Sequence, residues 1–183
     1  MTQEQALQIL REYTKTDGLL KHAYAVEAAM RSYAQKYGEN EELWGVVGLL
    51  HDFDYEMFPD EHPMKGSAIL EKKGVSEEIR TAILGHADFS GVPRETLMAK
   101  ALYAVDELSG FITAVTLVRP NKALSEVKLK SVKKKLKDKS FAAKVNRDEI
   151  RKGAEELGVD FSEHVAFVIQ AMSSVADKLG LNP

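Results

Sequence analysis

The side chains best able to do chemistry are four histidines and a few acids placed against apolar sequence. His22 lies in a helical apolar pattern, and His51-Asp52 follows the run Leu43–Leu50. His62 precedes Pro63, His86 follows Gly85, and Asp106 is embedded in Leu102-Tyr-Ala-Val-Asp-Glu-Leu108. An ionised carboxylate beside a buried helix is costly unless a charge or several donors compensate it. A divalent cation compensates Asp and neutral His together, so the set reads as a metal site. Cysteine is absent, which removes thiolate ligands, disulfides and a cysteine nucleophile. Taken singly, each histidine also has a plainer reading: His22 as a hydrogen-bonded core residue, His62 as a helix start, His86 as a favourable helix terminus. The fifth, His164, has no partner motif and reads as structural or solvated.

The elements that must position these groups are helices. Alternating β-branched runs and Asn-Gly turns are missing, so the fold class is all-α. Thr2 and Gln5 make a capping box that opens a first helix, and turn residues Asp17-Gly18 end it. A second helix spans about 19–37, with apolar steps of three or four and Gly38 as its stop. Asn40 caps a third, apolar nearly all round, which delivers His51-Asp52 where it leaves the core. The stretch 53–62 reads as a loop, and Pro63 takes the first position of the next helix. Ser76 caps a helix ending at His86. The longest pattern, about 94–118, holds Asp106 in its middle and closes at Arg119-Pro120. Asn146 with Glu149 and Asp160 with Glu163 cap the last two long helices.

His22, His51-Asp52 and Asp106, in that order on a helical chain, resemble the HD superfamily of metal-dependent phosphohydrolases. The resemblance covers about residues 19–118 and implies a compact helical bundle with those four residues as metal ligands. His62-Pro-Met-Lys-Gly66 and Gly85-His86 resemble the two further histidine motifs of members that bind two metals. The implied cofactor is one or two divalent ions (Mn, Fe, Co, Mg, Ni or Zn), with Asp52 as the bridge. The implied reaction is hydrolysis of a phosphorylated small molecule, probable substrates being nucleotide-like, by attack of a metal-bound hydroxide. Lys65, Arg119 and the cluster Lys133, Lys134, Lys135 are candidates to hold non-reacting phosphates. Several groups in the superfamily place a catalytic Glu three positions after the Asp. Here that position is Tyr55, and Asp54 and Glu56 are the nearest general-acid candidates beside Asp52. Two other functions stay open: a di-iron oxygenase of a small polyol or phosphonate on the same fold, and a non-catalytic nucleotide-sensing module.

The bulk numbers agree with an ordinary soluble protein: 183 residues, 44% hydrophobic, 29% charged. The length suits a single domain, with a metal-binding core over about 19–118 and a C-terminal helical cover over about 119–183. The N-terminus shows no basic and apolar leader pattern, and the longest apolar runs are too short for a span, so a cytoplasmic location without a membrane partner is expected. A net charge of −3 gives no global reason to expect nucleic acid. The seven lysines between Lys128 and Lys139 read as a solvated face, a phosphate-holding patch or, less readily, a nucleic-acid contact.

Overall fold

The computed structural model describes residues 1–182. Among them are ten α-helices and no strand: α1 (Gln3–Tyr13), α2 (Asp17–Tyr37), α3 (Glu41–Leu50), α4 (Met64–Lys72), α5 (Glu77–Gly85), α6 (Leu97–Leu117), α7 (Leu129–Leu136), α8 (Arg147–Leu157), α9 (Phe161–Ser173) and α10 (Ala176–Leu179). No helix among the described residues is long and apolar enough to cross a membrane.

Two crossings hold the site in place. The first pairs α2 with α3, and α3 is buried continuously from Trp44 to Leu50. A Cβ on Gly48 would stand 2.9 Å from the Glu27 backbone, so the two helices approach closely only because residue 48 has no side chain. The second crossing centres on α6, which packs against α2, α5, α7, α8 and α9. Ala101, Leu102, Ala104, Val105, Leu108, Phe111, Ile112 and Val115 of α6 are all fully buried, which gives a helix apolar on most of its circumference its only stable setting. At its contact with α8, a Cβ on Gly153 would lie 2.6 Å from Ala104 Cα.

The helix ends follow local chemistry, with four departures from the sequence pattern, the first being that Asp17-Gly18, expected to end the first helix, open α2. Thr2 and Gln5 close the capping box, Asn40, Asn146 and Asp160 cap α3, α8 and α9, and Gly38 ends α2 at φ 71°. The longest pattern starts later than expected, at Leu97, because Thr96 accepts from Ala99 N and fixes the start. Arg94 is instead drawn into ion pairs with Asp88 (2.8 Å) and Glu156 (2.7 Å). Pro63 occupies the cap position before α4 rather than its first turn, and Ser76 precedes α5 without a side-chain cap bond.

Candidate metal centre

Four elements converge on one point. His22 comes from the first half of α2, His51 from the residue that ends α3, and Asp106 from the middle of α6. Asp52 begins the run of turns after α3. His22 Nε2 lies 3.0 Å from Asp106 Oδ1 and 3.2 Å from His51 Nε2. His51 Nε2 is 3.4 Å from both Asp52 Oδ2 and Asp106 Oδ1. On the other side of Asp52, its Oδ1 lies 3.3 Å from His62 Nε2 and 3.3 Å from His86 Nε2, and those two nitrogens are 3.2 Å apart. Two groups result, His22-His51-Asp52-Asp106 and Asp52-His62-His86, each compact enough for one cation and joined by Asp52.

The imidazoles are held in a metal-ready orientation. His51 Nδ1–H donates to Gly48 O (2.8 Å), and His86 Nδ1–H donates to Ile83 O, so the neutral ring of each would offer its Nε2 lone pair to a cation at the centre. His62 Nδ1–H donates to Asp54 Oδ1 (2.7 Å). Such a partner fixes the tautomer and ring plane of a ligating histidine. Nε2 lone pairs facing each other at 3.2 Å repel unless a cation or a proton lies between them. Imidazole nitrogen with carboxylate oxygen is the donor set of a divalent metal of borderline or hard character, and the residues present fit that group.

Without a cation the charges must compensate one another. Burial disfavours the imidazolium of His51, but the charges of Asp52 and Asp106 outweigh it and push its pKa up. His86 is likewise raised against the pull of burial, by Asp52. Burial acts against ionised Asp52 and Asp106 as well, yet the facing histidines, His51 foremost, hold both below the usual carboxylate range.

The centre opens into a cavity of about 390 Å³, whose remaining wall is formed by Tyr55, Asp88, Phe89, Glu107, Gly110 and Glu149. Glu107 and Glu149 were not anticipated from the sequence. Asn146 ties them together: its backbone N–H donates to Glu107 (3.1 Å) and its side-chain amide to Glu149 (2.6 Å). Burial, reinforced by the charge of Asp106, pushes Glu107 up to about 7. The sequence offered one signal for it, its place directly after Asp106; Glu149 reads in sequence only as the partner of a helix cap.

The other expected site residues are placed away from this cavity. Asp54 is buried behind His62, with its second oxygen accepting from Gly66 N (2.7 Å), so its carboxylate orients a histidine instead of meeting a substrate. Glu56 accepts from Lys15 N (2.8 Å), Thr16 N (3.1 Å) and Thr16 Oγ1 (3.0 Å), where it anchors the turn ahead of α2. Neither acid, expected from the sequence as a general-acid candidate, lines the cavity. Lys65 pairs with Glu61 (3.2 Å), Lys133 with Ser162 (2.6 Å) and Lys135 with Asp138 (3.9 Å). Lys134 is exposed on α7 and Arg119 follows the end of α6, and none of these five cations lines the cavity. Their places in the fold keep them out of the cavity wall, which spacing along the chain did not show. His164 is buried and structural: it accepts from Tyr33 O–H and donates from Nε2 to Ala104 O (2.9 Å).

Comparison with known proteins agrees with this geometry at the level of the family. The family model described as HD domain matches residues 19–110, half of the chain. No curated protein and no solved structure gives a significant match.

Proposed function

The chain belongs to the HD domain family, whose members are generally metal-dependent phosphohydrolases, and from that premise we propose that it hydrolyses a phosphorylated small molecule at a centre of two divalent ions. The observation that carries this reading is Asp52, whose two oxygens face two separate groups of histidine nitrogens at 3.3–3.4 Å. When bound, such ions supply an activated water near neutral pH and offset the charge that grows on phosphoryl oxygens.

The chain's own residues do the rest. His22, His51 and Asp106 would hold one ion and His62 and His86 the other, with Asp52 available to both. Asp54 keeps His62 in the tautomer that ligation needs. Glu107, half-buried and close to neutrality in its proton affinity, is placed to exchange a proton at the cavity wall. Asp88 is neutralised by Arg94 and Lys152 (2.9 Å) and shapes the mouth without adding net charge. The cavity lining contains neither lysine nor arginine, which favours one reacting phosphoryl group at the ions over a polyphosphate needing cations of its own.

The same carboxylate-rich wall supports a second reading, a di-iron oxygenase of a polyol, because Glu107 and Glu149 accept hydrogen bonds from hydroxyl groups. The deciding experiment is phosphate release from a panel of mononucleotides, cyclic nucleotides and sugar phosphates with added manganese, run beside Asp52→Ala. Release that disappears in the variant supports the hydrolase. No release from any of them, with oxygen uptake by the iron-loaded protein on polyols, replaces it with the oxygenase.

A further inference from the structure

A second cavity of about 400 Å³ adjoins the metal centre and shares His22 and Gly110 with it. Its own wall comes from Asp17, Lys21, Thr113, Leu117, Leu179 and Leu181. Gly110 forms the threshold. A Cβ there would stand 3.9 Å from His22 Cε1, so the absence of a side chain keeps the space between α6 and the His22 ring clear. Along α6 the two cavities are in line: Gly110 lies roughly 6 Å beyond Asp106 and Leu117 roughly 16 Å beyond it, at 1.5 Å of rise per residue.

The two cavities differ in charge. The charged and titratable side chains of the first, Tyr55 aside, are all carboxylates and histidines, whereas the second sets leucine side chains beside one cation, Lys21, which is paired with Asp17 of the same wall. The ammonium is held at the C-terminus of α10, within 3.0 Å of the place a Cβ on Gly180 would take. Its ion-pair partner among the described residues is Asp17, at 2.8 Å and largely exposed; an exposed pair one helical turn apart contributes little and yields readily to a better anion.

We propose that this second cavity binds the non-reacting end of the substrate, an apolar segment ending in an anionic group that pairs with Lys21. The inference rests on the hydrolase reading for the group placed at the metals. It identifies the substrate class as an elongated phosphomonoester: phosphoryl group at the ions, hydrocarbon body along Thr113, Leu117, Leu179 and Leu181, and a carboxylate or second phosphate at Lys21. Lys21 thereby supplies the anion contact that Lys65, Arg119 and Lys133–Lys135, which line neither cavity, do not.

The test uses the manganese-loaded full chain with methyl phosphate and a series of ω-carboxyalkyl phosphates of increasing length, reading binding by calorimetry and turnover by phosphate release. Affinity is expected to rise with chain length to a maximum about ten-fold above methyl phosphate, as a charge-assisted contact gives. Lys21→Ala should flatten that rise, Leu117→Trp should flatten it by filling the cavity from a residue remote from every metal ligand, and Asp17→Asn should steepen it. Length dependence absent from the unaltered protein, or unchanged in both Lys21→Ala and Leu117→Trp, overturns the subsite. Length-dependent binding with no phosphate release from any member would retain the subsite and remove the hydrolase reading instead.

Discussion

Replacing Asp54 with Asn tests whether the group behind His62 matters as much as the ligands themselves. The carboxylate accepts two bonds of 2.7 Å in a fully buried setting, from His62 Nδ1–H and from Gly66 N–H. Asn keeps the shape but has one acceptor oxygen, so its amide must face one of those two donors. One buried N–H is left unsatisfied, a cost of about 1–3 kcal/mol to the fold. The larger effect falls on the metal. Loss of a carboxylate partner to a ligating histidine typically weakens binding about 10–100-fold, or about 1.4–2.7 kcal/mol. The expected outcome is a chain that keeps the ion at His22-His51-Asp106 and releases the one at His62-His86. Manganese content after gel filtration should fall from about two ions per chain to about one, since a site weakened to this degree empties on dilution. Calorimetric titration of the metal-free variant would give the affinity directly. Two ions retained at unaltered affinity would refute the reasoning, because His62 would then ligate without its orienting partner.

Other perturbations have equally definite outcomes. Metal loading should raise the unfolding free energy by about 2.7 kcal/mol for each bound ion at a hundred-fold excess over its Kd; thermal melts with and without a chelator measure this, and Asp52→Ala should erase the difference. Gly153→Ala forces a methyl group to 2.6 Å from Ala104 Cα, so urea unfolding should show a loss of about 1–3 kcal/mol or more from separating α6 and α8. His164 has its pKa lowered by burial, the Ala104 carbonyl acting weakly the other way. Its folded pKa therefore lies below the unfolded value of 6.5, and between the two the unfolded chain binds more protons. The stability it contributes is complete above that unfolded value and falls as the pH drops through and below it. Unfolding free energies at about pH 7.5 and about pH 5.5 should differ less in His164→Gln than in the unaltered protein.

Much of this site was legible along the chain because its ligands sit where local rules already make them conspicuous. His51-Asp52 closes an apolar run and Asp106 interrupts one, and burial of a titratable group has few inexpensive explanations. The helices were legible for the same reason: capping residues at Thr2, Asn40, Asn146 and Asp160 and the stop at Gly38 act over a few residues only. Long-range placement was not. Glu56 follows the His-Asp pair closely and still turns away, because the backbone donors of Lys15 and Thr16 at the start of α2 have no other acceptor near. Glu149 reaches the cavity only because α8 packs on α6 through Gly153, a crossing set by two residues distant in sequence. The lysines of α7 suggested a phosphate patch by their number, whereas the direction of that helix, with Val132 and Leu136 turned to the core, puts the charges elsewhere.

Asp52 has a further consequence for how metal loading must be described. As the one residue common to both ligand groups, it would make the two proposed occupancies a single linked equilibrium. An ion on either side would fix the carboxylate and consume part of its charge, so the affinity of the second would depend on the first, and by reciprocity the first equally on the second. Loading curves fitted as two independent constants would therefore assign to neither ion its own value. The ratio of the two metals in a mixed preparation would likewise report their coupling together with their supply.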